Sequence, residues 1–248
     1  RWAKEKNLLP SLGHLYGARN LKKLVKHIFY KKNIKYLSLF AFSTENFKRS
    51  QEEVGYLMKL FYNEAVKLLK KINEKNIKIV FSGHLEYLDK ELKEKLEELE
   101  KSSKGDYTLN LCIAYGGQRE IIDATKKIAN LYKEGKISLE DIDEKEFYRY
   151  LYHELPPIDL MIRTSGEIRI SNFMLYSLAY SEMKFVNTYF PAFTTKVSSN
   201  ISFSFNTALL FTTLTVFSGI LDLCFAGSNT LIKTTGATAD SLKLACID

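Results

Sequence analysis

Along the first 195 residues, apolar and polar positions fall into blocks that predict helices and strands by turns. The clearest block runs from Gln51 to Ile72. There Val54, Leu57, Met58, Phe61, Ala65, Leu68, Leu69 and Ile72 recur at three- and four-residue steps, which is the stripe of an amphipathic helix. Leu21 to Tyr30 reads as a Lys-rich amphipathic helix, Lys90 to Lys101 as a charged helix, and Glu120 to Tyr132 and Glu144 to Tyr152 as further helices. Between them lie apolar runs too short for helices: Ile34 to Phe42, Ile77 to Phe81, Leu109 to Ala114 and Ile158 to Ile162. These predict buried strands. Strands separated by helices of this length require crossovers, so the expected fold is α/β, a mostly parallel central sheet flanked by helices on both faces. Ligands of such sheets gather at the carboxyl ends of the strands.

The pattern stops near position 195. Residues 196–248 carry only Lys196, Asp222, Lys233, Asp240, Lys243 and Asp248 as charges, and 15 of these 53 residues are Ser or Thr. The 25 residues from Val197 to Leu221 hold no charge, which is long enough to cross a bilayer, but nine of them are Ser or Thr and dilute the apolar content a span needs. Residues 1–193 therefore read as one domain. Residues 194–248 read as an atypical Ser/Thr-rich apolar tail, either a membrane anchor or a chain end foreign to the fold.

Composition narrows the class. With 46% hydrophobic and 26% charged residues among 248, the chain is neither disordered nor a multi-span membrane protein. Cys112, Cys224 and Cys246 form no CxxC pair, which argues against a disulfide scaffold or zinc ribbon. The net charge of +7 rests on 29 Lys and only 7 Arg. It suits an anionic substrate or membrane surface, and no basic stripe interleaved with aromatics points to nucleic acid. Arg1 to Lys6 is charged, with no apolar stretch of a signal peptide behind it, so the expected location is cytoplasmic.

Three predicted strands end in polar segments: Ser43-Thr44-Glu45-Asn46-Phe47-Lys48-Arg49, Tyr115-Gly116-Gly117-Gln118-Arg119, and Arg163-Thr164-Ser165-Gly166-Glu167-Ile168-Arg169-Ile170-Ser171-Asn172. The last carries two of the seven arginines, six positions apart, among hydroxyls. Guanidinium forks and hydroxyls suit phosphate oxygens, and a solvated loop would look the same by spacing alone. Ser43 or Thr44 could cap a helix, and Gly116-Gly117 could make an anion-binding turn or merely a tight one. His14 could donate to a phosphate or serve structure. Glu182 could be a Mg²⁺ ligand or a surface acid.

Taken in order, Arg1-Trp2-Ala3-Lys4, Gly13-His14-Leu15-Tyr16-Gly17, Phe42 to Ser50, Tyr115-Gly116-Gly117, Ile162 to Phe173 and Ala179-Tyr180-Ser181-Glu182 resemble the cis-prenyltransferases, the undecaprenyl and dehydrodolichyl diphosphate synthases. The resemblance covers residues 1–193, and the wording of Phe42 to Ser50 is similar to the eukaryotic, dolichol-making branch. It implies a transferase that condenses isopentenyl diphosphate onto an allylic diphosphate, usually farnesyl diphosphate, with Mg²⁺. It further implies that Arg163, Arg169 and Ser171 grip the isopentenyl diphosphate and that Glu182 helps hold Mg²⁺. Arg1, Trp2 and His14 would surround the primer's diphosphate, and Ser43, Asn46 and Arg49 would stand beside the reacting carbons. Met58, Phe61, Leu109, Leu111 and Ile113 would line a hydrophobic product tunnel. The partners implied are a second copy or an accessory subunit, and peripheral contact with the cytoplasmic face of the endoplasmic reticulum membrane. A non-catalytic accessory subunit is the alternative.

The chain also departs from that pattern. The family's Asp-Gly-Asn motif and first strand precede the position of Arg1, Pro10 stands where bacterial relatives carry Arg, and no Arg follows Arg169. The expectation is a chain lacking its principal acid, with impaired catalysis and a sheet left open at the missing strand.

Overall fold

The computed structural model describes residues 2–69, 76–195 and 243–247. Its elements, in chain order, are α1 (Trp2–Glu5), α2 (Pro10–Lys26), β1 (Tyr36–Ser43), α3 (Gln51–Leu69), β2 (Ile77–Ser82), α4 (Lys90–Ser102), β3 (Tyr107–Tyr115), α5 (Gly117–Lys133), β4 (Leu160–Arg163), β5 (Glu182–Phe185) and β6 (Lys243–Ile247). The strands form one sheet in the order β2-β3-β1-β6-β4-β5, and every pair is parallel. The predicted α/β class holds. So do four predicted strands and most of the helices, with boundaries shifted by a few residues.

Three expectations need correction. Glu144 to Tyr152 holds only a 3-10 turn, Glu146–Tyr150, which buries none of its own residues and so has no apolar face on which a longer helix could pack. Leu21 to Tyr30 is the end of a longer helix, α2, which opens with Pro10 in its first turn and closes in a wider π turn at His27–Lys31. The sheet, finally, is not open. β6, from the segment read as foreign to the fold, fills the place between β1 and β4, pairing Tyr36 to Leu39 with Lys243 to Cys246 and Leu160 to Ile162 with Leu244 to Cys246. A short apolar run there finds two unpaired strand edges, and parallel pairing satisfies the backbone on both sides. The charge-free run Val197 to Leu221 lies outside the described residues. Among those described, no helix is long and apolar enough to cross a membrane.

Local chemistry explains the elements. Asp89 caps α4 by accepting the Leu92 N–H at 2.8 Å, and Leu92, Leu96 and Leu99 then bury one face. The α3 stripe buries Leu57, Phe61, Ala65 and Leu68 as its spacing predicts. A register irregularity between Phe40 and Phe42 in β1 gives these two residues different partners. Phe40 stacks on Phe173 at 4.7 Å between centroids, whereas Phe42 meets Phe61 of α3 edge-on at 6.2 Å. Asn20 of α2 donates to the carbonyls of both Phe190 and Phe193 at 2.7 Å, clamping the chain beyond β5 onto that helix.

Gly83, just after β2, has φ +138°, and a Cβ there would stand 1.9 Å from the Ile113 carbonyl oxygen. Gly135 also has positive φ, +65°, but opens onto free space. Gly135→Ala should cost only the left-handed strain, about 1–2 kcal/mol, and lower the melting temperature by a few degrees. Gly83→Ala should cost on the order of 4 kcal/mol or more, because backbone must move. Thermal melts of the two variants side by side would show that difference.

Candidate active site

β1, β3 and β4 deliver their polar continuations to one edge of the sheet. At the end of β1, Ser43 and Asn46 form a capping box: Asn46 Oδ1 accepts the Ser43 N–H at 2.9 Å, and the Ser43 side chain faces the Asn46 N–H in return. Both side chains are buried. One turn on, Arg49 Nη1 pairs with Glu53 Oε1 at 2.6 Å, and His14 Nε2 stands 3.9 Å from the same oxygen. Burial lowers the His14 pKa against the pull of Glu53, so the ring is neutral near pH 7. Its Nδ1 is buried without a hydrogen-bond partner among the described residues. Trp2 packs against Tyr16 of α2 at 5.2 Å. Arg1 lies outside the described residues.

Arg163 closes β4. Only 2% exposed, it donates through Nη1 to the Arg169 carbonyl and, at 2.8 Å, to Ser171 Oγ. A buried charge of this kind is tolerable only with such partners. The loop that supplies them is bent through a run of positive φ angles: Ser165 (72°), Gly166 (73°), Ser171 (48°), Asn172 (61°) and Met174 (37°). Left-handed backbone at non-glycine residues is costly and collects at functional sites. The strain is held by the Ser165 and Gly166 N–H groups, which donate to the Thr188 and Val186 carbonyls at 3.0 Å. Arg169 itself points its side chain outward, into a pair with Glu167 at 2.6 Å.

Asn172 joins the three segments and was not singled out from the sequence. Its Oδ1 accepts the Gln118 N–H at 2.8 Å, its carbonyl accepts the Gly117 N–H at 2.6 Å, and its Nδ2 donates to Glu45 Oε1 at 3.4 Å. Glycine at 116 and 117 is what lets the loops approach, since a Cβ at either would meet Asn172 or Leu175 within 3.0 Å. The signal was present as the Gly-Gly pair, but its partner could not be read from spacing.

The comparisons with known proteins bear on this arrangement. The family model described as "Putative undecaprenyl diphosphate synthase" matches residues 1–208. The chain belongs to that family, the cis-prenyltransferases. It is 44% identical over 198 residues to the geranylgeranyl-diphosphate-specific tritrans,polycis-undecaprenyl-diphosphate synthase of Pyrococcus abyssi, covering 78% of this chain and 75% of that one. Against the farnesyl-diphosphate-specific ditrans,polycis enzyme of Micrococcus luteus it is 40% identical over 196 residues, 78% of each chain. The lavandulyl diphosphate synthase of Lavandula x intermedia, solved with dimethylallyl diphosphate, superposes with a TM-score of 0.73 at 30% identity, covering 82% of this chain and 91% of that one. These relatives are archaeal, bacterial and plant enzymes, and they carry the family rather than a dolichol-making branch.

Within this cis-prenyltransferase, the expected tunnel residues Phe61, Leu109, Leu111 and Ile113 are closed into the core, and Met58 packs partly buried against it. Glu182 is not brought to Arg163. It opens β5 level with Leu160, whereas Arg163 is level with Phe185, so about 10 Å of strand separates the two levels. Glu182 is exposed. Among the described residues no three His, Cys, Asp or Glu side chains converge on a metal position. Glu45 does stand among the strand-end segments. Burial pushes its pKa up, but hydrogen bonds from its own N–H, Ser43, Asn172 and Thr44 outweigh that and leave it below the usual range. Mg²⁺ takes one or two carboxylates and completes its shell with phosphate oxygens and water, so the donor set fits the ion once a diphosphate and a second carboxylate join it.

A second polar cluster, also unforeseen, adjoins the edge at β2 and β3. His84 Nε2 lies 2.5 Å from Asp123 Oδ2, Tyr152 donates to that oxygen at 2.9 Å, and the Tyr115 hydroxyl donates to buried Glu120. Desolvation raises the Glu120 pKa to about 6, against the opposing bonds from Tyr115 and the Tyr152 N–H. A pKa raised on folding contributes stability that is whole below pH 4.5 and is lost as pH climbs through 6. The loss should be about 2 kcal/mol. Urea midpoints of the wild type should therefore carry a falling component between pH 4.5 and 6.5 that Glu120→Gln removes.

Proposed function

We propose that this chain condenses isopentenyl diphosphate onto an allylic diphosphate, farnesyl diphosphate first among primers, and repeats the addition in the cis sense to make a polyprenyl diphosphate. The product would serve a lipid carrier of the dolichol type, made at the cytoplasmic face of the endoplasmic reticulum membrane by a protein that touches the bilayer peripherally and works with a second subunit. The observation that carries the reading is Arg163: a buried guanidinium fixed by Ser171 and the Arg169 carbonyl at the carboxyl end of a parallel strand, in a chain of this family.

In the reaction the allylic C–O bond breaks, releasing diphosphate, while the terminal alkene carbon (C4) of isopentenyl diphosphate bonds to the allylic carbon. The positive charge left on C3 is discharged by loss of a proton from C2, the carbon on the diphosphate side of C3, to the departing diphosphate, and this forms the new C2–C3 double bond. The Arg163 fork and Ser171 hydroxyl hold the isopentenyl diphosphate by charge-assisted bonds. Neutral His14 offers a donor toward the primer's diphosphate. Ser43 and Asn46, locked in their capping box, give the reacting carbons a fixed polar wall that needs no reorganisation as charge develops. Bound Mg²⁺ would neutralise charge on the departing diphosphate. Apolar Phe61, Leu109, Leu111 and Ile113, with Met58, lie behind the β1 and β3 ends, where separation of α3 from the sheet would make room for the growing chain.

Arg163→Ala should lower incorporation of labelled isopentenyl diphosphate tenfold to hundredfold, the equivalent of about 1.5–3 kcal/mol for a hydrogen bond to a charged group. Arg169→Ala should cost less, because its side chain starts out in solvent. Farnesyl and geranylgeranyl diphosphate assayed in parallel would identify the primer. Wild-type incorporation by Arg163→Ala would overturn the reading.

A further inference from the structure

Charge is not spread evenly along this chain. From Lys6 to Thr44 there are eight basic residues and no Asp or Glu, so this stretch exceeds the whole net charge of +7 and the remainder is slightly negative. Seven of the eight fall between Arg19 and Lys35, and six of those are Lys. α2 buries Leu21, Leu24, Val25 and Ile28 on one side, which leaves its lysines to the other. The helix closes in the π turn at His27–Lys31, and exposed Lys31 and Lys32 lead through Lys35 into β1. Tyr107, where β3 starts, gathers this connection. Its hydroxyl donates to Asn33 Oδ1 at 2.9 Å, Lys35 Nζ stands 4.7 Å from its ring centroid, and Tyr30 meets the ring edge-on at 5.5 Å. Tyr30 itself is 45% exposed. Burial, and then the charges of Lys32 and Lys31, hold the His27 pKa below its usual value, so the field of these lysines reaches back into the helix. Exposed Lys78 of β2 and Lys104 before β3 extend the positive charge along the amino edge of the sheet, where Asp106 is engaged by Asn76 at 2.8 Å.

We propose that this amino-edge patch, Lys26, Lys31, Lys32 and Lys35 around Tyr30, docks on an anionic lipid surface. Lysines are compact charges on flexible stems, which suit a diffuse negative surface, whereas the guanidinium forks that grip single phosphates are almost absent here. A half-exposed tyrosine among them has an apolar body and a polar tip, the pairing that suits the headgroup level. The patch also faces a useful direction, and this point rests on the reaction proposed above. α3 starts beyond Arg49 at the carboxyl edge, and β2 starts again at the amino edge, so the 19 residues of α3 lead about 28 Å back along the sheet. The apolar layer between α3 and the strands therefore points from the reacting carbons toward the patch. Docking there hands the far end of a growing polyprenyl chain to the acyl layer, while its diphosphate stays at the opposite, aqueous edge.

The test is co-sedimentation of the full chain with phosphatidylcholine vesicles, with and without phosphatidylserine, in the absence of substrate. The wild type should bind the phosphatidylserine vesicles and release them as salt is raised. Each lysine lost should weaken binding about fivefold, so Lys26→Gln, Lys31→Gln and Lys32→Gln combined should weaken it on the order of a hundredfold. Lys90→Gln, Lys126→Gln and Lys133→Gln combined, an equal loss of charge elsewhere, should change it little. The first triple variant should melt as the wild type does and keep wild-type isopentenyl diphosphate incorporation in detergent. Wild-type vesicle binding by that variant, an equal loss in the second one, no preference for phosphatidylserine, or displacement of the wild type from vesicles by single-stranded RNA would each overturn the inference. Because binding is read without turnover, an inactive wild type would instead count against the proposed reaction.

Discussion

β6 stands between β1 and β4 and is hydrogen-bonded to both. Adjacent strands are about 4.8 Å apart, so β6 sets the spacing between the Ser43–Asn46 box and the Arg163 fork at roughly twice that distance. It also satisfies the inner backbone edges of both neighbours, groups that would otherwise be unpaired in the middle of a sheet. Site geometry and sheet integrity are thus one constraint. Whatever loosens β6 separates the two polar clusters at the carboxyl edge of the sheet.

Around that strand, the edge is built by exchange between loops more than by any single loop. Asn172 reaches the N-terminus of α5 and the segment after β1 at the same time, so the left-handed bend of the β4 loop is supported from two other strand ends. This arrangement lets a strained loop present the Arg163 partners without the strain relaxing into a more ordinary conformation. The Gly116-Gly117 turn is the matching half, its missing side chains being the space that Asn172 occupies.

Much of this was legible in the sequence. The α3 stripe, the four apolar runs and the crossover lengths fixed the α/β class, because helical and strand periods differ enough to separate. The polar strand ends were visible as well, and Arg163, Ser171, Ser43 and Asn46 lie where their motifs suggested. β6 was hidden for a physical reason. Lys243 to Ile247 is a five-residue run with no period of its own, and its strand character comes entirely from two partners distant in sequence. β5 was hidden likewise, being short and exposed on its outer side. Glu182 stands apart from Arg163 in this chain because position along a strand, not proximity in sequence to a motif, decides which end of the sheet a side chain faces. The Asn172 and Glu120 contacts depend on loop geometry that no spacing encodes.

The place of β6 in the chain also has a consequence for biosynthesis. A ribosome delivers β1 to β5 before it delivers residues 243–247, so during translation the two central edges wait unsatisfied while the flanking layers form. Such edges recruit other extended chains, and pairings that close long loops form slowly. The nascent protein must therefore pass through an interval in which its most adhesive surface is its own unfinished centre. Its yield in a cell should be governed by how quickly that gap is sealed once residues 243–247 have emerged, and by chaperones that shield it meanwhile.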